Sequence, residues 1–161
     1  MTDLLQLLQE FYREKLALLK RHEAAARAVA QYDANNTYQY IINREETHLS
    51  WLAAAIASFD AAPDEGAPEP DAVIEKARDS WRNLAAGDAR DAQAFVDRWR
   101  PRVEAMTNAR HRGMLRVILG ELLEQKRFFE QAAAGNLDLL GRRPDAVGPR
   151  VGEVLATRWV E

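Results

Sequence analysis

Apolar residues recur along this chain at intervals of three and four rather than two, the period of a helix with one buried face. Leu4, Leu7, Phe11, Leu18 and Ala25 fall on one stripe, widened by Leu8, Leu19 and Ala26. Asp3 and Gln6, three residues apart, form a capping box at its start, and the helix is expected over about 3–32. Asp33, Asn35, Asn36 and Thr37 are turn and N-cap residue types and place the first turn there. A second helix, about 36–59, carries Ile41, Leu52, Ala55 and Phe59, flanked by Ile42, Leu49 and Ile56.

Residues 60–70 hold three prolines, a glycine and acidic side chains, which reads as a linker. A shorter helix, about 71–86, shows Val73, Ile74, Ala77, Trp81 and Leu84 on one side and stops at Gly87. Asp88 then caps a helix over about 88–106 with Ala92, Phe95, Trp99, Val103 and Met106 inward. Pro101 interrupts that stripe, so the helix kinks or restarts there. Thr107 and Asn108 make the next turn, and a last helix over about 109–134 stops at Gly135-Asn136. The tail, 136–161, reads as a loop with at most a short helix, packed on the bundle or on a partner chain.

Two antiparallel pairs joined by a long middle connection make an all-α four-helix bundle with one crossover, a single domain over 1–161. A 16-residue helix spans about 24 Å, so the 71–86 segment would carry the chain along the bundle. Composition supports this: there are 28 alanines against 8 glycines. The apolar fraction of 47% is too high for a disordered chain. Lys and Arg total 22 against 25 Asp and Glu, a net charge of −3, which argues against a nucleic-acid partner. The absence of cysteine excludes disulfides, zinc ribbons, thiolate clusters and cysteine nucleophiles. No apolar run approaches the roughly 20 residues of a membrane span, and the Met-Thr-Asp start lacks the basic segment of a secretory signal. A cytoplasmic protein with no membrane partner is expected.

The chemistry concentrates in Asn43-Arg44-Glu45-Glu46-Thr47-His48-Leu49. Glu45 and His48 are three apart and share the face of Ile41, Leu52 and Phe59, the apolar seam. A carboxylate and an imidazole there must be paired, hydrogen-bonded or metal-bound, because bare burial costs several kcal/mol. Glu46 points away. This stretch resembles the ferritin-like superfamily, which includes the rubrerythrins and the carboxylate-bridged di-iron proteins. Its signature is a Glu on one helix and a Glu-x-x-His on the next, repeated in the second pair. The resemblance implies that Glu45 bridges two metals and His48 binds one. The ions implied are iron, as a di-iron centre, or manganese.

For the first-helix ligand, the family spacing of roughly 30–35 residues before the bridging Glu points to Glu14, between Phe11 and Leu18. A turn centred near 34 instead brings His22 or Glu23 level with Glu45. On the last helix Met114, Val117, Glu121, Glu124 and Phe128 share a stripe, so the second motif reads Glu121-x-x-Glu124, without its histidine. Either Glu124 ligates in its place or the second metal position is lost. Asp91, with Asp97 behind it, would be the third-helix carboxylate. Gly113 and Gly120, seven apart, allow close helix approach or leave room beside Glu121.

By that resemblance the chain is a metal-binding protein with dioxygen or peroxide chemistry; whether it is an enzyme stays open. A competing reading makes it a metal-free bundle that works by association, for example as a homodimer, with Glu45 and His48 hydrogen-bonded in the core. A third reading is a three-histidine site of His22, His48 and His111. It excludes the Glu121 site, since His111 lies about 15 Å from Glu121 along the helix. Tyr38, one helical row from Glu45, is placed for one-electron chemistry. The arginines at 98, 100, 102, 110, 112 and 116 read as a solvated face paired with nearby acids.

Overall fold

The computed structural model describes residues 2–67 and 81–136. Every regular element among them is a helix: α1 (Thr2–Ala28), α2 (Tyr32–Ala57), α3 (Trp81–Glu104) and α4 (Ala109–Ala133). At 24 to 27 residues each, they are about 36–40 Å long. Their inner faces share one core containing Leu8, Phe11, Leu52, Phe95, Trp99 and Leu122. No helix of the described residues is long and apolar enough to cross a membrane.

Side-chain pairs along the seams fix the helix order. Glu10 with Arg102 and Arg21 with Asp91 run α1 antiparallel to α3. Tyr40 against Phe128 and Phe59 against His111 run α2 antiparallel to α4. The hairpins α1–α2 and α3–α4 are antiparallel through short turns, so α2 ends at the opposite end of the bundle from the start of α3. The intervening chain begins its return along α1. There Gln9 Nε2 donates to the Ala62 carbonyl at 2.8 Å, the Asp64 amide donates to Gln9 Oε1 at 2.6 Å, and Arg13 pairs with Asp64.

The first turn falls at 29–31 rather than 33–37. Gln31 caps α2, accepting from the Ala34 amide at 2.6 Å. Asn35, inside α2, donates back to the carbonyls of Ala26 at 2.8 Å and Val29 at 3.2 Å, satisfying groups that the end of α1 leaves open. The polar run expected to be the turn therefore seals it from the next helix. Gly87 does not end a helix and Asp88 does not cap one: α3 runs through both. A glycine inside a helix costs only about 1 kcal/mol, and the Asp88 carboxylate turns inward instead. The helix also continues through Pro101 to Glu104. The expected helix over 71–86 lies outside the described residues except from Trp81, where it is continuous with α3. The tail beyond Asn136 lies outside them as well.

The last helix matches its expected span. Asn108 caps it, accepting from the His111 amide at 3.0 Å. Gly135, at φ +94°, ends it in a left-handed conformation that favours glycine. Its phase differs from expectation. Leu115, Ile118, Leu122, Gln125 and Phe129 are buried, whereas Val117 is 52% exposed and Glu124 is exposed. The inward face is thus one residue, or about 100°, away from the Val117–Glu124 stripe.

Candidate functional site

The two halves of the core are filled differently. Toward the N-terminus of α1, Phe11 packs edge-on to Phe95 and Trp99, with centroids at 5.3 and 4.9 Å. One to three turns further along, the core holds Lys15, His22, Glu45, His48 and Asp88, each at most 5% exposed. All four helices contribute, because Glu121 of α4 joins the cluster from its rim.

The contacts form two pairs, with a lysine beside one of them. His22 Nδ1 donates to Glu45 Oε1 at 2.6 Å. His48 Nε2 donates to Glu121 Oε2, and Arg44 donates to Glu121 Oε1 at 2.6 Å. Lys15 Nζ lies 4.0 Å from Glu45 Oε1 and has no hydrogen-bond partner. Its charge also acts, more weakly, on Glu121. Beyond His22, its Nε2 stands 3.9 Å from Asp88 Oδ1, and Tyr38 donates to Asp88 Oδ2 at 2.5 Å. A recess of about 20 Å³, lined by residues that include Tyr40, Arg44, Glu121 and Gln125, leads from the surface to Glu121.

The electrostatics follow from burial and these neighbours. Burial alone would raise the Glu45 carboxyl, but His22, Lys15 and then His48 hold it below the ordinary carboxylate range. Glu121 is lowered as well: burial opposes this, and the hydrogen bonds from Arg44 and His48 prevail. Burial and then the Lys15 charge push His48 down to about 4, against the pull of Glu121. Burial lowers the Lys15 amine, opposed by Glu45 and Glu121. Asp88 is raised by burial despite His22 and Tyr38, and Tyr38 is raised by burial and by Asp88. Glu45 Oε2, His22 Nε2 and His48 Nδ1 are buried without partners. Buried polar atoms are normally paired, so a cluster of such exceptions marks a site rather than ordinary core.

Of the expected ligands, Glu45, His48 and Glu121 come to the cluster. Glu14 stands elsewhere, on the α1–α3 seam, where it accepts from Trp99 Nε1 at 2.6 Å and from Arg98 at 3.1 and 2.6 Å. The α1 residues level with Glu45 are Lys15 and His22, the latter being the alternative that a turn near 34 pointed to. Glu124 faces out, Asp91 pairs with Arg21 at 2.5 Å, and Asp97 accepts from Gln93 at 2.8 Å. His111 packs on Phe59 at the far end of the bundle, so the three histidines do not share a level. Arg98, Arg102 and Arg116 pair with Glu14, Glu10 and Glu104, as a solvated face would. Lys15 and Asp88 were missed. Lys15 had a signal: it falls four residues after Phe11 and seven before His22, on the buried stripe.

A two-metal centre of the kind the resemblance implies needs carboxylates from both hairpins left free to neutralise the ions. Here the first-helix carboxylate is turned away, the second histidine is absent, and Lys15 and Arg44 already countercharge Glu45 and Glu121. Among the described residues, no three His, Asp or Glu side chains converge closely enough to hold a metal ion. The donor set does not fit a di-iron centre. No family model, no curated protein and no solved structure matches the chain.

Proposed function

We propose that this chain is a ferritin-like four-helix bundle in which a fixed ion network stands in place of the di-iron centre. On this reading it works as a structural or interaction protein, with a homodimer as the simplest assembly, rather than by dioxygen or peroxide chemistry. Two features support the ferritin-like part. The Glu45-x-x-His48 motif faces the core, and α3 starts at the opposite end of the bundle from where α2 stops, as in bundles with one crossover. One observation carries the metal-free part: a fully buried lysine whose Nζ lies 4.0 Å from Glu45, the carboxylate on which a metal would depend.

A second reading, one iron or manganese ion, is favoured by the unpartnered Glu45 Oε2, His22 Nε2 and His48 Nδ1. Elemental analysis separates the two. Protein expressed in iron- and manganese-supplemented medium, beside His48→Ala, should carry far less than one equivalent of either metal in both forms. It should show no oxidase or peroxidase activity, and sedimentation should give an oligomeric state indifferent to chelator. One equivalent in the wild type, lost in His48→Ala, overturns the metal-free reading in favour of the second.

A further inference from the structure

Val117, 52% exposed, is with Tyr32 one of two large apolar side chains that the described residues leave in solvent. It stands at the middle of the outward face of α4, with Gly113 and Gly120 one turn to either side. Glycine is unfavourable inside a helix. Gly135 has a positive φ that asks for it, whereas Gly113 and Gly120 have none. Beyond the adjacent backbone, no atom of the described residues lies within 4 Å of where a Cβ would stand on either. The room they leave therefore opens to solvent and not to another part of the bundle.

The charges on this face are set out symmetrically about the valine. Arg110 and Glu124 lie seven residues before and after Val117, two turns or about 10 Å in each direction. Both are exposed, and neither makes an ion pair or hydrogen bond among the described residues. Their neighbours are engaged within the chain: Arg116 pairs with Glu104, and Lys126 with Glu130. Opposite charges at equal distances from a centre make a face complementary to itself once one copy is turned end for end.

We propose that the outward face of α4 is the contact between two copies of this chain, packed antiparallel across a two-fold axis beside Val117. Arg110 then stands opposite the partner's Glu124, and Glu124 opposite the partner's Arg110. Gly113 falls against the partner's Gly120, so the two backbones approach closely around the valines. A parallel pairing would set arginine on arginine and glutamate on glutamate, and like charges repel. The inference rests on the reading of the chain as a homodimer and goes further by naming the surface and its orientation. The core is closed within one chain, so each copy folds whether or not it associates.

The experiment is sedimentation equilibrium of the full chain in chelator, loaded from about 1 to about 500 μM. One helix face is smaller than the roughly 800 Å² per partner of a standard interface, so a dissociable dimer is expected, with Kd about 1–100 μM. Glu124→Arg replaces two opposite-charge contacts with two like-charge ones and should weaken it at least about 10-fold. Arg110→Glu/Glu124→Arg makes the charges opposite again and should return Kd to within about 3-fold of wild type. Gly120→Leu should move two readouts in opposite directions. The Tm of dilute monomer should rise, because leucine favours a helix and its space is open. Association should weaken at least about 10-fold, because the side chain holds the two backbones apart. A dimer that survives both Glu124→Arg and Gly120→Leu, or one that the double swap fails to restore, overturns the α4 face and leaves the homodimer reading standing. A wild type that stays monomeric throughout overturns the inference and takes the homodimer out of the proposed function as well. Metal content is decided separately, by the elemental analysis.

Discussion

The aromatic half of this bundle and its ionic half are equally buried and are held by opposite means. Around Phe11, Phe95 and Trp99 each side chain gains from leaving water, whatever its neighbours are. The one polar atom there, Trp99 Nε1, reaches Glu14 at 2.6 Å. Around Lys15, Glu45 and His22 every group loses hydration and recovers it only through its partners. Truncating a residue in the first half removes that residue's own contribution. In the second half it strands whatever it faced. The aromatic half is a store of stability, and the ionic half is a specification that holds only while its members are all present.

The largest expected effect tests that difference directly. Glu45→Ala leaves the Lys15 ammonium buried without its nearest anion and should cost about 3–5 kcal/mol, measured by urea unfolding. Removing the stranded charge as well, in Lys15→Met/Glu45→Ala, should return a large part of that loss. Phe11→Ala should also cost about 3–5 kcal/mol, from lost transfer energy and a cavity. Pairing it with Phe95→Ala should recover nothing. A Glu45→Ala loss that the second substitution leaves untouched would place the Lys15 charge outside the balance and erase the contrast between the halves.

Next in size is the response to acid, which belongs to the ionic half alone. His48 titrates near 4 in the fold against an ordinary 6.5, so the unfolded chain binds its proton more readily. Its contribution is complete above pH 6.5 and is lost as pH falls toward 4, about 3 kcal/mol in all. Glu45 and Glu121 are depressed from 4.5, so theirs is complete above that value and lost below it. Asp88 is raised above 3.8, so its contribution is present below that value and fades as pH rises through its folded value. The urea midpoint should therefore fall between pH 6.5 and 4, and His48→Gln should flatten this part of the curve. Phe11→Ala should lower the curve evenly. A parallel drop in both variants would show that His48 is not the group being titrated.

How much of this was legible in the sequence depended on whether a helix's apolar stripe was narrow or wide. On α2 the stripe is narrow, and Glu45 and His48 fell inward as the spacing required. On α1 and α4 apolar residues lie almost all round, so the phase was open by one residue, about 100° of rotation. That step is the difference between Glu14 and Lys15, and between Glu124 and Gln125. Residue type then misled, because a carboxylate looks like a ligand, whereas a lysine looks like surface. Asp88 was misread for a related reason: an aspartate after glycine has the form of a helix start, and only the third dimension brings Tyr38 against it. The span of α4 was readable because Asn108 and Gly135 mark its ends by local chemistry that no packing overrides.

The smallest expected effects test where the boundary between the halves lies. Glu14 is half-exposed, and its carboxylate serves Arg98 and the Trp99 indole rather than any group of the cluster. Glu14→Gln keeps an acceptor for Trp99 Nε1 and loses only an exposed ion pair, so it should cost less than about 1 kcal/mol. Glu14→Ala should cost more, about 1–3 kcal/mol, because it leaves the indole N–H of a fully buried tryptophan without a partner. Glu124→Ala, on the exposed face, should stay within about 0.5 kcal/mol of wild type. The order matters more than the sizes. If Glu14→Gln proved as damaging as Glu45→Ala, with the same recovery when Lys15 is removed, then Glu14 would share the lysine. The ionic half would then reach one residue further toward Phe11, and round to the α1–α3 seam, than its contacts indicate. With Glu14→Gln mild and Glu14→Ala worse, its carboxylate is an anchor for Trp99, and the ion cluster ends at Lys15.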